Sequence, residues 1–238
     1  MPETGCLFVG RRKGGVRLRA VIAAAALFTV TAVAAASAAS AYIYVFRSDA
    51  VKETDGVPRG WDLKEWRGKA DVAVVETEVG RAIKLRSRAT STALYKDVSF
   101  DIRTSPYLSW RWKVTRLPEG ADVRHRSRDD QAAQVYVIFP RWPAVINSRV
   151  IGYIWDTSAP RESRVTSTKT SNTRYIVIRS GSEGLGRWFR ERRNVYEDYK
   201  RLFGEEPPPV GRVAVMIDSD DTGTFAEAFI ADIYFARK

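Results

Sequence analysis

The sequence predicts an all-β protein: an antiparallel β-sandwich of jelly-roll type with one inserted amphipathic helix, preceded by an N-terminal hydrophobic helix. Three observations predict it. Between Val72 and Phe235, nine short segments are rich in β-branched and aromatic residues, most alternating apolar and polar positions with the period of two of a half-buried strand. Turn chemistry separates them at Pro118-Glu119-Gly120, Pro140 to Pro143, Pro160, Ser180-Gly181 and the loop from Gly204 to Gly211. One late stretch, Arg187–Phe203, has helical spacing instead.

The N-terminus comes first. Residues 1–19 hold Arg11, Arg12, Lys13, Arg17 and Arg19 against a single acid, Glu3, and residues 20–46 carry no charge. A spanning helix needs about 20 mostly apolar residues and a signal-peptide core about 7–15. The run is long enough to span, and Ala36-Ser37-Ala38 and Ala39-Ser40-Ala41 are small-x-small sites that a signal peptidase could cut. Residues 20–46 therefore read as a signal anchor or a signal peptide. On either reading residues 1–19 are a basic cytoplasmic end and the chain from about residue 47 is exported. Residues 47–60, with Gly56, Pro58 and Gly60, read as a linker, and residues 61–238 as the exported β-sandwich.

The predicted strands are Val72–Glu76, Ala82–Arg86, Thr92–Val98, Leu108–Thr115, Ala132–Phe139, Val150–Trp155, Arg174–Ser180, Arg212–Asp218 and Ala226–Phe235. Because successive side chains point to opposite faces, each strand yields a core list and a second list. Leu108, Trp110, Trp112 and Val114 read as core, leaving Arg111 and Lys113. Val135, Val137 and Phe139 leave Gln134 and Tyr136, and Ile176 with Ile178 leave Tyr175 and Arg179. Phe229, Ala231, Ile233 and Phe235 leave Ile230, Asp232 and Tyr234, while Val150–Trp155 is apolar on both faces. If these strands share a sheet, its second face combines Arg111, Lys113, Gln134, Tyr136, Tyr175, Arg179, Asp232 and Tyr234, a set of rings and polar tips suited to a carbohydrate or other polar ligand. The alternative is that the Arg187–Phe203 helix covers that face.

The helix places Trp188, Arg192, Val195, Tyr199 and Leu202 at helical spacing and stops at Gly204, a natural C-terminal cap. Two acidic clusters remain. Asp129-Asp130 precedes a strand, and Asp218-Ser219-Asp220-Asp221-Thr222-Gly223 forms a turn between the last two. Asp218, Asp220 and Asp221 are candidate ligands for Ca²⁺, which takes several oxygens, although Asp-Asp-Thr-Gly is also ordinary turn chemistry and lacks EF-hand spacing.

Composition excludes several chemistries. The one cysteine, Cys6, precedes the hydrophobic run, so the exported part has no disulfide or thiolate metal site. A single histidine, His125, leaves no His-cluster zinc site and argues against a Ser-His-Asp triad. The motifs G-x-S-x-G, P-loop and H-E-x-x-H are absent. The net charge of +11 suits anionic lipid or acidic glycan, while acids interspersed in Arg187–Phe203, together with export, argue against nucleic acid.

Four runs resemble the DUF3047 family of exported bacterial proteins: Leu108-Ser109-Trp110-Arg111-Trp112-Lys113-Val114, Asp129-Asp130-Gln131-Ala132-Ala133-Gln134-Val135-Tyr136-Val137, Arg193-Asn194-Val195-Tyr196-Glu197-Asp198-Tyr199 and Asp218-Ser219-Asp220-Asp221-Thr222-Gly223. The resemblance covers about Leu108 to Phe235 and implies an exported protein with the jelly-roll shape common among carbohydrate-binding modules. It supplies no reaction, ligand or catalytic residue. It does single out Arg111, Asp129, Asp130, Tyr136, Asp218, Asp220 and Asp221.

The expected function is a non-catalytic binding domain for an envelope glycan or similar polar ligand, at the bacterial inner membrane or in the periplasm after cleavage. Two alternatives stand beside it: a glycan hydrolase using paired Asp residues, which needs two carboxyls at a defined separation, and a structural envelope protein that binds a partner protein.

Overall fold

The computed structural model describes residues 42–50 and 56–238. Among them are thirteen strands: β1 (Tyr42–Phe46), β2 (Asp62–Arg67), β3 (Asp71–Thr77), β4 (Gly80–Arg88), β5 (Ser91–Phe100), β6 (Tyr107–Arg116), β7 (Ala133–Phe139), β8 (Arg149–Asp156), β9 (Arg164–Thr166), β10 (Thr173–Ser180), β11 (Phe189–Asn194), β12 (Val210–Asp218) and β13 (Phe225–Ala236). A 3-10 turn (Arg126–Arg128) and two α-helices accompany them, the single turn α1 (Ala144–Asn147) and α2 (Val195–Phe203). All nine predicted strands form. One six-stranded sheet runs β11-β6-β13-β4-β3, with β1 also on β13. A seven-stranded sheet runs β2-β5-β12-β7-β8-β10-β9. The chain crosses between sheets from β5 to β6 to β7 and again at every step from β10 to β13, the weave of a jelly roll. One pairing departs from the antiparallel expectation, since β8 and β10 are parallel.

The two sheets form a sandwich through their aromatic residues. Trp110 of β6 stacks on Tyr153 of β8 at 5.4 Å, and Trp112 meets Trp155 at 5.9 Å. All four are fully buried, so the Trp pair is core, as its Leu and Val companions predict. Burying about 150–250 Å² per aromatic ring is the chief source of stability in such a layer.

Four expectations are corrected. First, Tyr42–Phe46 does not close the hydrophobic segment but forms β1, whose Val45 and Phe46 are buried. Its alternating β-branched and aromatic residues favour a strand. The rest of the hydrophobic-helix expectation falls on residues outside those described. Among the described residues no helix is long and apolar enough to cross a membrane.

Second, the helix expected over Arg187–Phe203 is half strand. Phe189–Asn194 pairs antiparallel with β6, and the helix starts only at Val195. Asn194 is the reason for the switch: its side chain accepts from the Glu197 N–H at 3.1 Å and caps the helix. Gly204, left-handed at φ 71°, ends it as expected. Val195 and Tyr199 enter the main core, where Tyr199 lies 4.6 Å from Phe139, so α2 plugs the sandwich rather than covering the second face.

Third, the faces of β13 exchange half-way. Ala226, Ala228 and Ile230 point into the core, and after the bulge so do Ile233 and Phe235. The register shifts between Ala231 and Tyr234, with Asp232 left-handed at φ 48°. Phe229 therefore lies outside, between Trp188 and the ammonium groups of Lys84 and Lys113. Fourth, a bulge between Val177 and Arg179 turns Arg179 inward. Its guanidinium sits over Phe189 at 3.3 Å and pairs with Glu191 of the other sheet at 2.5 Å.

Candidate functional site

The residues expected on one face divide between two. Arg111, Asp232 and Tyr234 belong to the outer face of the six-stranded sheet, where the Arg111 Nε lies 3.1 Å from Asp232. Gln134, Tyr136 and Tyr175 belong to the outer face of the seven-stranded sheet, on the far side of the core. Lys113 lies with the first group, over Phe229, and with Arg179 turned inward, Gln134, Tyr136 and Tyr175 are the three of the eight that remain together on this face.

Those three belong to a row that the strand register builds. Tyr95 pairs with Ala214, Ala214 with Tyr136, Tyr136 with Gly152, and Gly152 with Tyr175. Large rings and small residues thus alternate across β5, β12, β7, β8 and β10. Strands lie about 4.8 Å apart, so tyrosine-bearing strands recur about every 10 Å. Gly152 is required here. A Cβ on it would come within 2.7 Å of both the Tyr136 and Tyr175 rings, whose centroids lie 6.3 Å apart above it. Trp66, 48% exposed, extends the row past Tyr95 at 6.3 Å.

This face holds a cavity of about 370 Å³ whose lining includes Trp66, Tyr95, Tyr136, Tyr175, Lys169 and Asp218. A second, of about 830 Å³, adjoins it, sharing Tyr95 and Ile138 in its lining. The two form a groove in the size range of ligand sites, its aromatic lining concentrated in the smaller cavity, where Tyr136 and Tyr175 are only 8% and 7% exposed.

The groove has an acidic end. Asp218 accepts from the Gln131 N–H at 2.7 Å and the Gln134 Nε2 at 2.8 Å, while Gln134 accepts from the Tyr136 hydroxyl. Asp129 accepts from Gln131 Nε2 and Thr168. Asp130 ties down the acidic turn, accepting from the N–H groups of Asp221 and Thr222 and from the Thr222 hydroxyl. The two acidic clusters that the sequence shows separately therefore meet.

Burial pushes the Asp218 carboxyl well above its ordinary range, and the neighbouring Asp130 charge pushes the same way. Burial also raises Asp129 and Asp220. Burial acts to lower the Lys169 ammonium, but Asp221, Asp218 and Asp129 more than offset it, and Lys169 is held charged 2.5 Å from Asp221. Tyr95 is pushed by burial to about 12, so its hydroxyl stays protonated and can donate.

For a cation, the expected trio changes. Asp218 and Asp220 converge with Asp130, one oxygen of each lying within 4.8 Å of the others, while Asp221 pairs with Lys169. Both Asp130 oxygens and one of Asp218 already accept hydrogen bonds, and Ca²⁺ takes six to eight oxygens, so these carboxylates furnish only part of such a shell.

The raised carboxyls set a pH dependence. A carboxyl whose folded pKa exceeds its unfolded value stabilises the fold fully below the unfolded value and loses that contribution as pH rises through the folded one. Asp122, lowered to about 2 by hydrogen bonding to Arg124, acts oppositely, its contribution being lost as the pH falls towards 2. Denaturant melts are expected to show stability climbing as pH drops from 7 towards about 4 and falling below that. In Asp218→Asn the climb is expected to shrink. A wild-type stability that falls steadily from pH 7 downward would contradict this assignment.

A family model described as a protein of unknown function, DUF3047, matches residues 59–234. The chain belongs to the DUF3047 family. No protein of curated function matches it. Among solved structures, this DUF3047 protein is similar to the family 11 carbohydrate-binding module of the cellulosomal cellulase Lic26A-Cel5E of Clostridium thermocellum. That match has 8% identity and a TM-score of 0.46 and covers 83% of this chain and 95% of that one. It is also similar to the family 30 carbohydrate-binding module of the cellulosomal cellulase Cel9D-Cel44B of the same organism, with 12% identity, a TM-score of 0.43 and coverage of 83% and 98%. At this level the likeness says nothing about a ligand for the DUF3047 chain, and the case for one rests on the groove itself. Trp66, Tyr95 and Lys169 escaped the sequence reading. Gly152, inside an otherwise apolar strand, is the signal that could have located the row, because a strand glycine marks close approach of a neighbour.

Proposed function

We propose that this DUF3047 domain is a non-catalytic binding module for an envelope glycan, held in the groove on the outer face of the seven-stranded sheet. The observation that carries this reading is the row Trp66-Tyr95-Ala214-Tyr136-Gly152-Tyr175 beside a polar end. A sugar ring has apolar faces and a hydroxyl rim. Aromatic rings receive the first, and carboxylates, amides and an ammonium receive the second.

The test is native electrophoresis through gels containing soluble polysaccharides, with peptidoglycan fragments, O-chains and β-glucans as the panel. At least one is expected to retard the protein, and Trp66→Ala to weaken that binding about tenfold or more, the usual cost of removing an exposed aromatic anchor. A folded sample retarded by none of the panel would sink the reading.

One observation favours the hydrolase alternative. Asp129 and Asp218, both with raised pKa, line the same cavity, as a general acid would. The binding reading expects no release of reducing ends from a retained polysaccharide. Steady release that Asp218→Asn abolishes, with retardation intact, would replace it with the enzyme reading.

A further inference from the structure

We propose that the opposite side of the sandwich, the outer face of the six-stranded sheet, rests on an anionic lipid surface and so turns the groove away from the membrane. Two exposed tyrosines, Tyr42 at 44% and Tyr44 at 46%, cluster there with Tyr234, their ring centroids 5.4 to 5.8 Å apart. A cavity of about 300 Å³ among these rings is also lined by the Arg47–Asp49 pair, by Asp232, which pairs with Arg111, and by Arg190. Arg190 and its strand neighbour Arg192 are exposed and carry no carboxylate partner among the described residues.

This combination is the chemistry of a headgroup layer. Tyrosine rings settle where one end is apolar and the other wet, and unpaired arginines find lipid phosphates. The chain itself says which surface. The 22 residues between Arg19 and Tyr42 carry no charge, and β1 follows with no spacer. A run of this length and composition meets the roughly 20 mostly apolar residues that a membrane span requires, which sets the domain beside a lipid surface. Charge complementarity sets the orientation. On the groove side Lys169 is paired with Asp221 and Arg212 with Asp97, whereas the tyrosine side adds Arg190 and Arg192, which have no carboxylate partner among the described residues. Ligand capture would then take place on the side facing away from the lipid.

The experiment uses the full chain reconstituted in vesicles, with Cys6→Ser as background and a nitroxide placed at Arg190→Cys or, on the groove side, at Lys64→Cys. In vesicles containing phosphatidylglycerol, the label at position 190 is expected to be shielded from an aqueous nickel chelate and the label at 64 to stay accessible. Shielding at 190 should weaken in phosphatidylcholine alone. Adding Arg192→Glu should lower the docked-to-undocked ratio about fivefold or more, since each basic residue near an anionic surface is worth about that factor. Full exposure of both labels, shielding at 64 instead, or equal shielding at 190 in uncharged vesicles would each overturn the proposal.

Discussion

Gly152→Val is expected to destabilise the domain by about 1–3 kcal/mol and to abolish glycan retention. The new side chain has nowhere to go. Its Cβ alone would lie 2.7 Å from ring atoms of both Tyr136 and Tyr175. Those rings must swing away, which breaks the hydroxyl contact of Tyr136 with Gln134 and flattens the centre of the row. Retention should therefore fall far more than stability does. Chemical denaturation and affinity electrophoresis of the same sample separate the two effects. Normal retention by a stable Gly152→Val protein would mean that the two tyrosines do not shape the binding floor.

Arg193→Ala is expected to cost about 3–5 kcal/mol, as breaking a buried ion pair does. Arg193 forms two hydrogen bonds of 3.0 Å with Asp198, whose side chain is only 5% exposed. The Tyr153 hydroxyl, in the middle of the core, donates to the same carboxylate at 3.0 Å. Removing the guanidinium leaves a buried carboxylate with one neutral donor. The Tyr153 hydroxyl, which ties α2 to β8, is then the only one of these donors left to Asp198. Arg193→Ala combined with Asp198→Asn should recover part of the loss, because the uncompensated charge disappears. A cost below 1 kcal/mol for Arg193→Ala would show that the pair does not hold the helix.

Strand positions were legible in the sequence because the period of two survives over most of each segment, and residues such as Leu108, Trp110 and Trp112 have no other reading. Faces were legible only until a bulge. One extra residue at Ala231–Asp232 or after Val177 sends every later side chain to the opposite side, and nothing in local composition marks it. Sheet membership was not legible at all, so Arg111 and Tyr136 looked like neighbours when the core separates them. β11 deceived for a different reason. Arg190-Glu191-Arg192-Arg193 is charged at every position, because Arg190 and Arg192 face solvent on an edge strand while Glu191 and Arg193 are ion-paired, so no apolar-polar alternation marks the strand. Trp66 lies on β2, an edge strand exposed along its whole length, and so lacks the alternation that reveals other strands. The meeting of Asp130 with the Asp218 turn depends on β7 pairing with β12, a contact between distant parts of the chain.

The most direct measurement follows tyrosine-ring resonances by NMR, using ¹³C-labelled tyrosine, while the most strongly retained polysaccharide is titrated in. The groove reading predicts that Tyr95, Tyr136 and Tyr175 shift together and saturate at one concentration, while Tyr42, Tyr44 and Tyr234 stay in place. Shifts confined to Tyr42, Tyr44 and Tyr234 would contradict it and place the ligand on the opposite sheet.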